Sequence, residues 1–289
     1  MIAITGATGQ LGREVLTHLA RLKPAQTRII ACTRHPASAQ FSPGLVDVVR
    51  RADFADAASL AAAFAGIDTL LMISVEGEDN ERIRLHQQAV EAARSAGVGR
   101  IVYTSFFDVD PVSPSEVARV HRTTEQCIAA SGVAWTMLRN GPYIDNIALR
   151  IAEASQGDGI FRMASGQARL PFIARSDLAE AAAHALVDAA PGNRFYRLSG
   201  VELLDYAQLT ALIGQVIGQP LSYQAIEDAE FAVQLEQEGL SQSLVQRRLA
   251  YSRAMRGGFM TALTDDFQRL VGRSPQAMAD VLRQMRLLS

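Results

Sequence analysis

Three features of this 289-residue sequence predict an α/β protein: a Rossmann-type doubly wound parallel sheet with a smaller, mostly helical C-terminal lobe. Short, continuously apolar runs alternate with helical periodicity through the first 140 residues. A glycine-rich loop joins the first run to the first helix. The final third is helical in pattern almost throughout. Alternation of this kind gives right-handed crossovers between parallel strands covered on both faces.

Taken in order, strands are expected at Met1–Thr5, Arg28–Thr33, Val46–Arg50, Asp68–Ile73, Arg100–Ser105 and Val133–Arg139. Between them, helices are expected at Gln10–Leu22, Ala57–Ala65, Asn80–Ala96 and Ser115–Ser131. Leu60 and Phe64 repeat at four-residue spacing, and Ile83, Val90 and Ala93 form a similar stripe closed by Gly97. Asn140-Gly141-Pro142 is a turn signal. A mixed stretch broken by Gly157, Gly159 and Gly166 follows. Ser176–Ala189 then reads as a helix capped by Ser176 or Asp177, and Phe195–Leu198 as a short strand. Helices are expected at Asp205–Ile217, Glu227–Gly239, Ser241–Met255, Asp265–Val271 and Pro275–Leu287. The pattern divides the chain into a dinucleotide-type domain over 1–140, with 172–199 returning to it. Residues 141–171 and 200–289 form the lobe.

Composition narrows the function. A net charge of −2 offers no basic face for nucleic acid and no polybasic anchor for a membrane surface. No apolar run approaches the roughly 20 residues of a spanning helix, and no signal-peptide pattern precedes the first strand. Cys32 and Cys127 are too few for a zinc or disulfide framework, so a reducing, cytoplasmic setting is expected, with no metal. Lysine occurs once, at Lys23, leaving 27 arginines.

Residues 5–12 read Thr-Gly-Ala-Thr-Gly-Gln-Leu-Gly between a strand and a helix. Gly6 suits a tight turn, Gly9 a close approach of backbone amides to a pyrophosphate, and Gly12 close packing of helix on sheet. The helix N-terminus adds partial positive charge. About 20 residues on, an NAD site usually places an acid on the ribose 2′-hydroxyl. Here the second strand ends Cys32-Thr33-Arg34-His35, with no carboxylate. A guanidinium at Arg34 suits a 2′-phosphate, so NADP(H) is favoured with NAD(H) still possible. Asp53 and Phe54 follow the third strand, either as an adenine contact or as a helix entry with a half-buried ring. Ile73-Ser74 and Ser105 stand at the carboxyl ends of the fourth and fifth strands, where such sheets bind ligands.

The Tyr-x-x-x-Lys couple that drives alcohol oxidation and sugar epimerisation in short-chain dehydrogenases is missing: no tyrosine has a lysine four residues on. Thr5–Gly12, Arg34, Ala52-Asp53-Phe54, Tyr103-Thr104-Ser105 and Leu138-Arg139-Asn140-Gly141-Pro142-Tyr143 together resemble the NmrA-like branch of the atypical short-chain dehydrogenases. Within that branch they are most similar to its flavin-free quinone reductases and triphenylmethane dye reductases. The similarity runs over nearly the whole chain, through Leu263–Arg273. It implies cofactor contacts at Gly6, Thr8, Gly9, Gln10, Leu11, Arg34, Asp53, Phe54, Ser74 and Ser105. It places Asn140 and Tyr143 near the nicotinamide or the acceptor. Relatives often carry a lysine in a stretch like His-x-x-Thr-Glu-Lys. This chain has His121-Arg122-Thr123-Thr124-Glu125-Gln126, so Gln126 replaces it.

The chemistry that needs only what remains is direct hydride transfer from NADPH to a quinone or similar conjugated acceptor, without flavin. Asn140, Tyr143 or Gln126 would hydrogen-bond the developing anion, and His121 or water would supply the proton. Phe106, Phe107 and Tyr143 would wall the acceptor. Two alternatives stand beside this reading. One is a non-catalytic dinucleotide sensor working through a protein partner. The other, a sugar-nucleotide epimerase, ranks below both. Monomer and homodimer are both open.

Overall fold

The computed structural model describes residues 1–190, 192–285 and 287. Seven parallel strands form the central sheet: β1 (Ile2–Ile4), β2 (Ile29–Thr33), β3 (Val48–Arg51), β4 (Thr69–Met72), β5 (Arg100–Phe106), β6 (Ala134–Asn140) and β8 (Arg194–Leu198). Their order is β3-β2-β1-β4-β5-β6-β8, so the direction of winding reverses between β1 and β4. That reversal opens a crevice at the carboxyl ends, directly above the glycine loop.

The apolar runs become strands because both faces are covered. On one face α1 (Gln10–Leu22) and α6 (Arg175–Val187) pack Val15, Leu16, Leu19, Leu178 and Ala182 against Ile4, Leu71 and Leu138. On the other, α2 (Ala57–Phe64), α3 (Asp79–Ser95) and α4 (Glu116–Ala130) pack Leu60, Phe64, Val90 and Ile128 against Ile30, Leu70 and Ile101. Each such aliphatic side chain contributes about 1.5–3 kcal/mol on burial. Gly97, at φ 74°, turns the chain out of α3 as the sequence predicts.

The lobe has its own core. It holds α5 (Ile144–Glu153), β7 (Ile160–Met163), α7 (Tyr206–Ile217), β9 (Ser222–Ala225), α8 (Asp228–Gln237), α9 (Gln242–Arg256) and α11 (Met278–Gln284). β7 and β9 pair as a separate parallel ribbon. The helix α10 (Asp266–Val271), expected with the lobe, packs Phe267 into the core beneath the main sheet.

Several sequence expectations need correction. The mixed stretch after Asn140 contains α5, whose buried Ile144, Ala148 and Ile151 carry a helical stripe. Neither Ser176 nor Asp177 caps α6; Ala174 occupies the cap. Asp177 is wholly buried and instead accepts from Arg273 Nη2 and the Gln276 backbone amide. Asp205 is the cap of α7 rather than its first residue, in a reciprocal capping box with Gln208. The last helix is shorter than Pro275–Leu287, and Arg286 lies outside the described residues.

Candidate functional site

The glycine loop is shaped by what each glycine touches. Gly6 has φ 61°, a conformation side chains resist, and its carbonyl accepts from Gly9 N at 2.9 Å. A Cβ on Gly12 would lie 2.3 Å from that carbonyl oxygen and 2.9 Å from Ala7 Cα. Gly12 therefore lets α1 start flush against the strand end. A Cβ on Gly9 would stand 3.2 Å from the same oxygen, which is tight but not prohibitive. No side chain caps α1, and Gly9 and Gln10 are exposed. Its first-turn amides face the crevice with the positive end of the helix dipole. Leu11 packs partly into the core below, and Thr8 Oγ1 lies 3.4 Å from Thr33 Oγ1, tying the loop to the head of β2.

Arg34 is exposed just past β2 and meets no acceptor or carboxylate among the described residues. A second cation, Arg13 of α1, was not expected at the loop. Arg13 Nε donates to Thr8 O, its Nη1 donates to Gln40 O, and its guanidinium lies 5.6 Å from the Phe41 ring centroid. It braces the loop after β2 rather than standing free.

Further along the crevice the expected contacts divide. Asp53 Oδ1 accepts from Ala55 N as an Asx turn, and its other oxygen lies 3.9 Å from Arg51. Phe54 is 6% exposed and edge-on to His86 within the core, so it does not offer a ring face to the crevice. Ile73 lies under Gly6, in van der Waals contact with the position of a Cβ there. The Ser105 hydroxyl is buried and donates to Glu125 Oε1 at 2.6 Å.

Ser74 belongs to a polar cluster at the heads of β4 and β5. Arg82, 8% exposed, donates from Nε to Val75 O (2.8 Å) and from Nη2 to Ser74 Oγ and His121 Nε2 (both 3.3 Å). An arginine only donates, so His121 Nε2 is the acceptor and Nδ1 carries the proton, facing Tyr103 Oη at 2.8 Å. His86 Nε2 accepts from Val75 N, and its Nδ1 faces Thr124 Oγ1 at 2.9 Å. Burial, reinforced by the Arg82 charge, holds His86 at a pKa of about 3 and His121 well below the usual imidazole range. His121 is thus neutral with both nitrogens engaged, which corrects its expected role as proton donor. Arg82 and His86 were missed because they are polar. Their signal was spacing, since both lie on the same buried stripe of α3 as Ala89, Val90 and Ala93.

Gln126 is also misplaced. It is exposed on α4, whereas Glu125, one position earlier, turns inward and accepts from Arg139 Nε (3.0 Å) and Nη2 (2.7 Å). Phe107, expected in an acceptor wall, is 1% exposed in the lobe core with Arg197 over its ring. Phe106 is half-buried between His121 and Tyr251, with centroids 5.9 and 6.1 Å away.

Asn140 and Tyr143 do come together. Asn140 Nδ2 donates to Tyr143 Oη at 2.7 Å, while Asn140 Oδ1 is buried and unpartnered. Burial pushes the Tyr143 phenol up to about 12. A buried orphan acceptor beside a phenol that keeps its proton is a ready pair for an amide donor and an incoming oxygen. With the uncapped helix, the Gly12 cradle and free Arg34, these residues fit a phosphorylated dinucleotide. Among the described residues no cluster of His, Cys, Asp or Glu is placed to hold a metal, and no helix is long and apolar enough to cross a membrane.

Residues 6–189 match the family described as NAD(P)H-binding. The chain is 39% identical to quinone oxidoreductase 2 of Escherichia coli over 244 residues, 84% of each chain. Its fold superposes on the crystal structure of the NADPH-dependent quinone oxidoreductase of E. coli complexed with NADPH. That match has TM-score 0.89 and 34% identity, covering 98% of this chain and 99% of the other. The Citrobacter sp. triphenylmethane reductase complexed with NADP(H) matches with TM-score 0.88 and 31% identity over the same shares.

Proposed function

We propose, from the premise that this chain belongs to the NAD(P)H-binding family and is an NAD(P)H-dependent oxidoreductase, that it uses NADPH to reduce a quinone or a similar conjugated electrophile. The Asn140–Tyr143 pair carries the reading. It offers a hydrogen-bond acceptor and a proton-bearing oxygen at the carboxyl end of β6, and no base. His121, the imidazole the sequence offers for proton transfer, is neutral and occupied on both nitrogens. A site without a base suits acceptors that need no deprotonation.

When bound, the reduced dinucleotide supplies a hydride to an acceptor that is already electrophilic. The chain holds and orients. The amides at the start of α1 take the diphosphate, Arg34 takes a 2′-phosphate, and Asn140 Oδ1 accepts from a carboxamide N–H. Tyr143 Oη, steadied by Asn140, keeps its proton and donates to an acceptor oxygen as it gains negative charge. Phe106 provides an apolar neighbour. A donor of this kind is worth about 2–4 kcal/mol in the transition state when well aimed.

Following NADPH absorbance with menadione tests the reading. Steady turnover is expected, with Tyr143→Phe losing about a hundredfold in kcat while NADPH affinity is unchanged. Tight NADPH binding without turnover across a panel of quinones would replace the reductase with a dinucleotide sensor.

A further inference from the structure

At the far edge of the sheet, strand register sets two arginines side by side. Arg139 of β6 and Arg197 of β8 are direct partners across a parallel pair. Like charges in that relation repel, so each needs compensation. Arg139 has it: Glu125 takes two of its nitrogens, and its guanidinium lies 4.2 Å from the Phe195 ring centroid. Arg197 does not. Among the described residues no carboxylate lies within ion-pair distance and no acceptor meets its guanidinium. Its Nε is buried without a partner, and its charge lies only against the Phe107 ring, 5.2 Å from the centroid. Asp266 is turned elsewhere. It accepts from the Arg197 backbone amide and pairs with Arg269.

Both arginines line an open cleft of about 490 Å³ whose other walls include Asp108, Asp110 and Phe259. The two carboxylates are folded back into their own loop. Asp108 accepts from Asp110 N and Ser113 Oγ, and Asp110 accepts from Val112 N. Arg122 fastens the same loop by donating to Asp110 O. What remains uncompensated is the Arg197 fork. A buried donor left without a partner is costly, and an incoming oxyanion would recover that cost. The cleft is also distant from the 2′-phosphate end of the dinucleotide crevice. β8 stands five strand positions from β2, about 24 Å at the usual strand spacing. Arg139 and Asn140, being successive residues of one strand, point to opposite faces of the sheet.

We propose that this cleft is a second ligand site, separate from the dinucleotide site, that binds the carboxylate or phosphate of a small organic anion through Arg197. Its volume exceeds that of an oxyanion alone and falls in the range of small-molecule sites, so the anion is one end of a larger molecule. The Phe259 ring is the apolar wall for the rest. Because Arg139 holds Glu125 and Glu125 holds Ser105, an occupant here touches a chain of contacts leading to the heads of β5 and β6.

The test uses the whole chain saturated with NADPH, which fills the other phosphate-binding positions. Arginine Nε–Hε resonances are followed by NMR at constant ionic strength, with the Arg197 signal assigned by its loss in Arg197→Lys. Inorganic phosphate and acetate are titrated separately, with chloride as the control. The Arg197 signal is expected to shift saturably with at least one of the two, with millimolar or tighter Kd. A response to acetate alone identifies a carboxylate site, and to phosphate alone a phosphate site. Arg197→Gln should weaken binding by about tenfold or more while NADPH affinity stays unchanged. Absence of a saturable shift with both probes overturns the proposal, as does a shift equal to that with chloride. Equal affinity in a folded Arg197→Gln overturns it too. Should that variant fail to fold, the wild-type titration still decides.

Discussion

The heads of neighbouring strands treat polar groups in opposite ways. Above β4 and β5, Arg82, His86, Tyr103, His121 and Thr124 satisfy one another and leave little facing outward. Above β1 and β2, the first-turn amides of α1 and the exposed Arg34 guanidinium have no partner among the described residues. A closed polar set rigidifies and specifies the core, while an open set of donors is a surface awaiting an anion. Chemical type alone does not separate the two, since histidines and arginines occur in both regions. What separates them is whether each nitrogen already has its partner.

The largest effect should come from Gly12. If the open region works through the close start of α1, a side chain there pushes the helix off the loop. Gly12→Val would force β-branched carbons onto Gly6 O, already 2.3 Å from the Cβ position. NADPH affinity should fall on the order of a hundredfold, read by calorimetry on protein whose circular dichroism confirms the fold. Gly9→Ala, with 3.2 Å to the same oxygen, should lose less than tenfold. Equal losses at the two positions would mean that the loop's role lies in its flexibility rather than its packing.

Arg34 comes next. Arg34→Ala should weaken NADPH by about ten- to a hundredfold, the worth of a charge-assisted contact, and leave NADH nearly unchanged. Arg13 sharpens the point. It is equally cationic but donates to Thr8 O and Gln40 O. Arg13→Ala should therefore weaken both cofactors alike through loss of loop order. Equal discrimination by both variants would break the distinction between a free cation and a bracing one.

The same contrast explains how far the sequence could be read. Strands covered on both faces show as unbroken apolar runs, so all seven central strands and α1 lie within a few residues of expectation. The Asn140–Tyr143 pair was legible too, because three residues bring the two side chains together locally. The ribbon of β7 and β9 was not, since four-residue strands some 60 positions apart pair only once the lobe has formed. Phe54 reads equally as an adenine contact or a half-buried ring, and Phe107 as part of an acceptor wall, because an aromatic past a strand end looks alike whether it points in or out. Gln126 failed by a single position: successive helical residues differ by about 100° in direction, which is the difference between exposed Gln126 and buried Glu125. Arg82 and His86 were hidden by the assumption that a buried stripe is apolar, although their spacing with Ala89 and Ala93 is that of one helical face.

The closed region tests the contrast from the other side. Burial, with Arg82 beside them, lowers the pKa of both His86 and His121 in the folded protein. An unfolded chain would hold them near the ordinary 6.5. Below that value the unfolded state binds protons that the folded state refuses, so the stabilisation they provide is full above about pH 6.5. It is lost as pH falls toward about 3, the value for His86. Urea unfolding should show stability declining by about 1.4 kcal/mol per pH unit for each such histidine below 6.5, once the unfolded form is fully protonated. A His121→Asn variant should show a shallower decline, whatever its absolute stability. An unchanged slope in that variant would mean His121 accepts a proton within the fold. Its Nε2 would then no longer be held by Arg82, and the heads of β4 and β5 would be as open to chemistry as the crevice beside them.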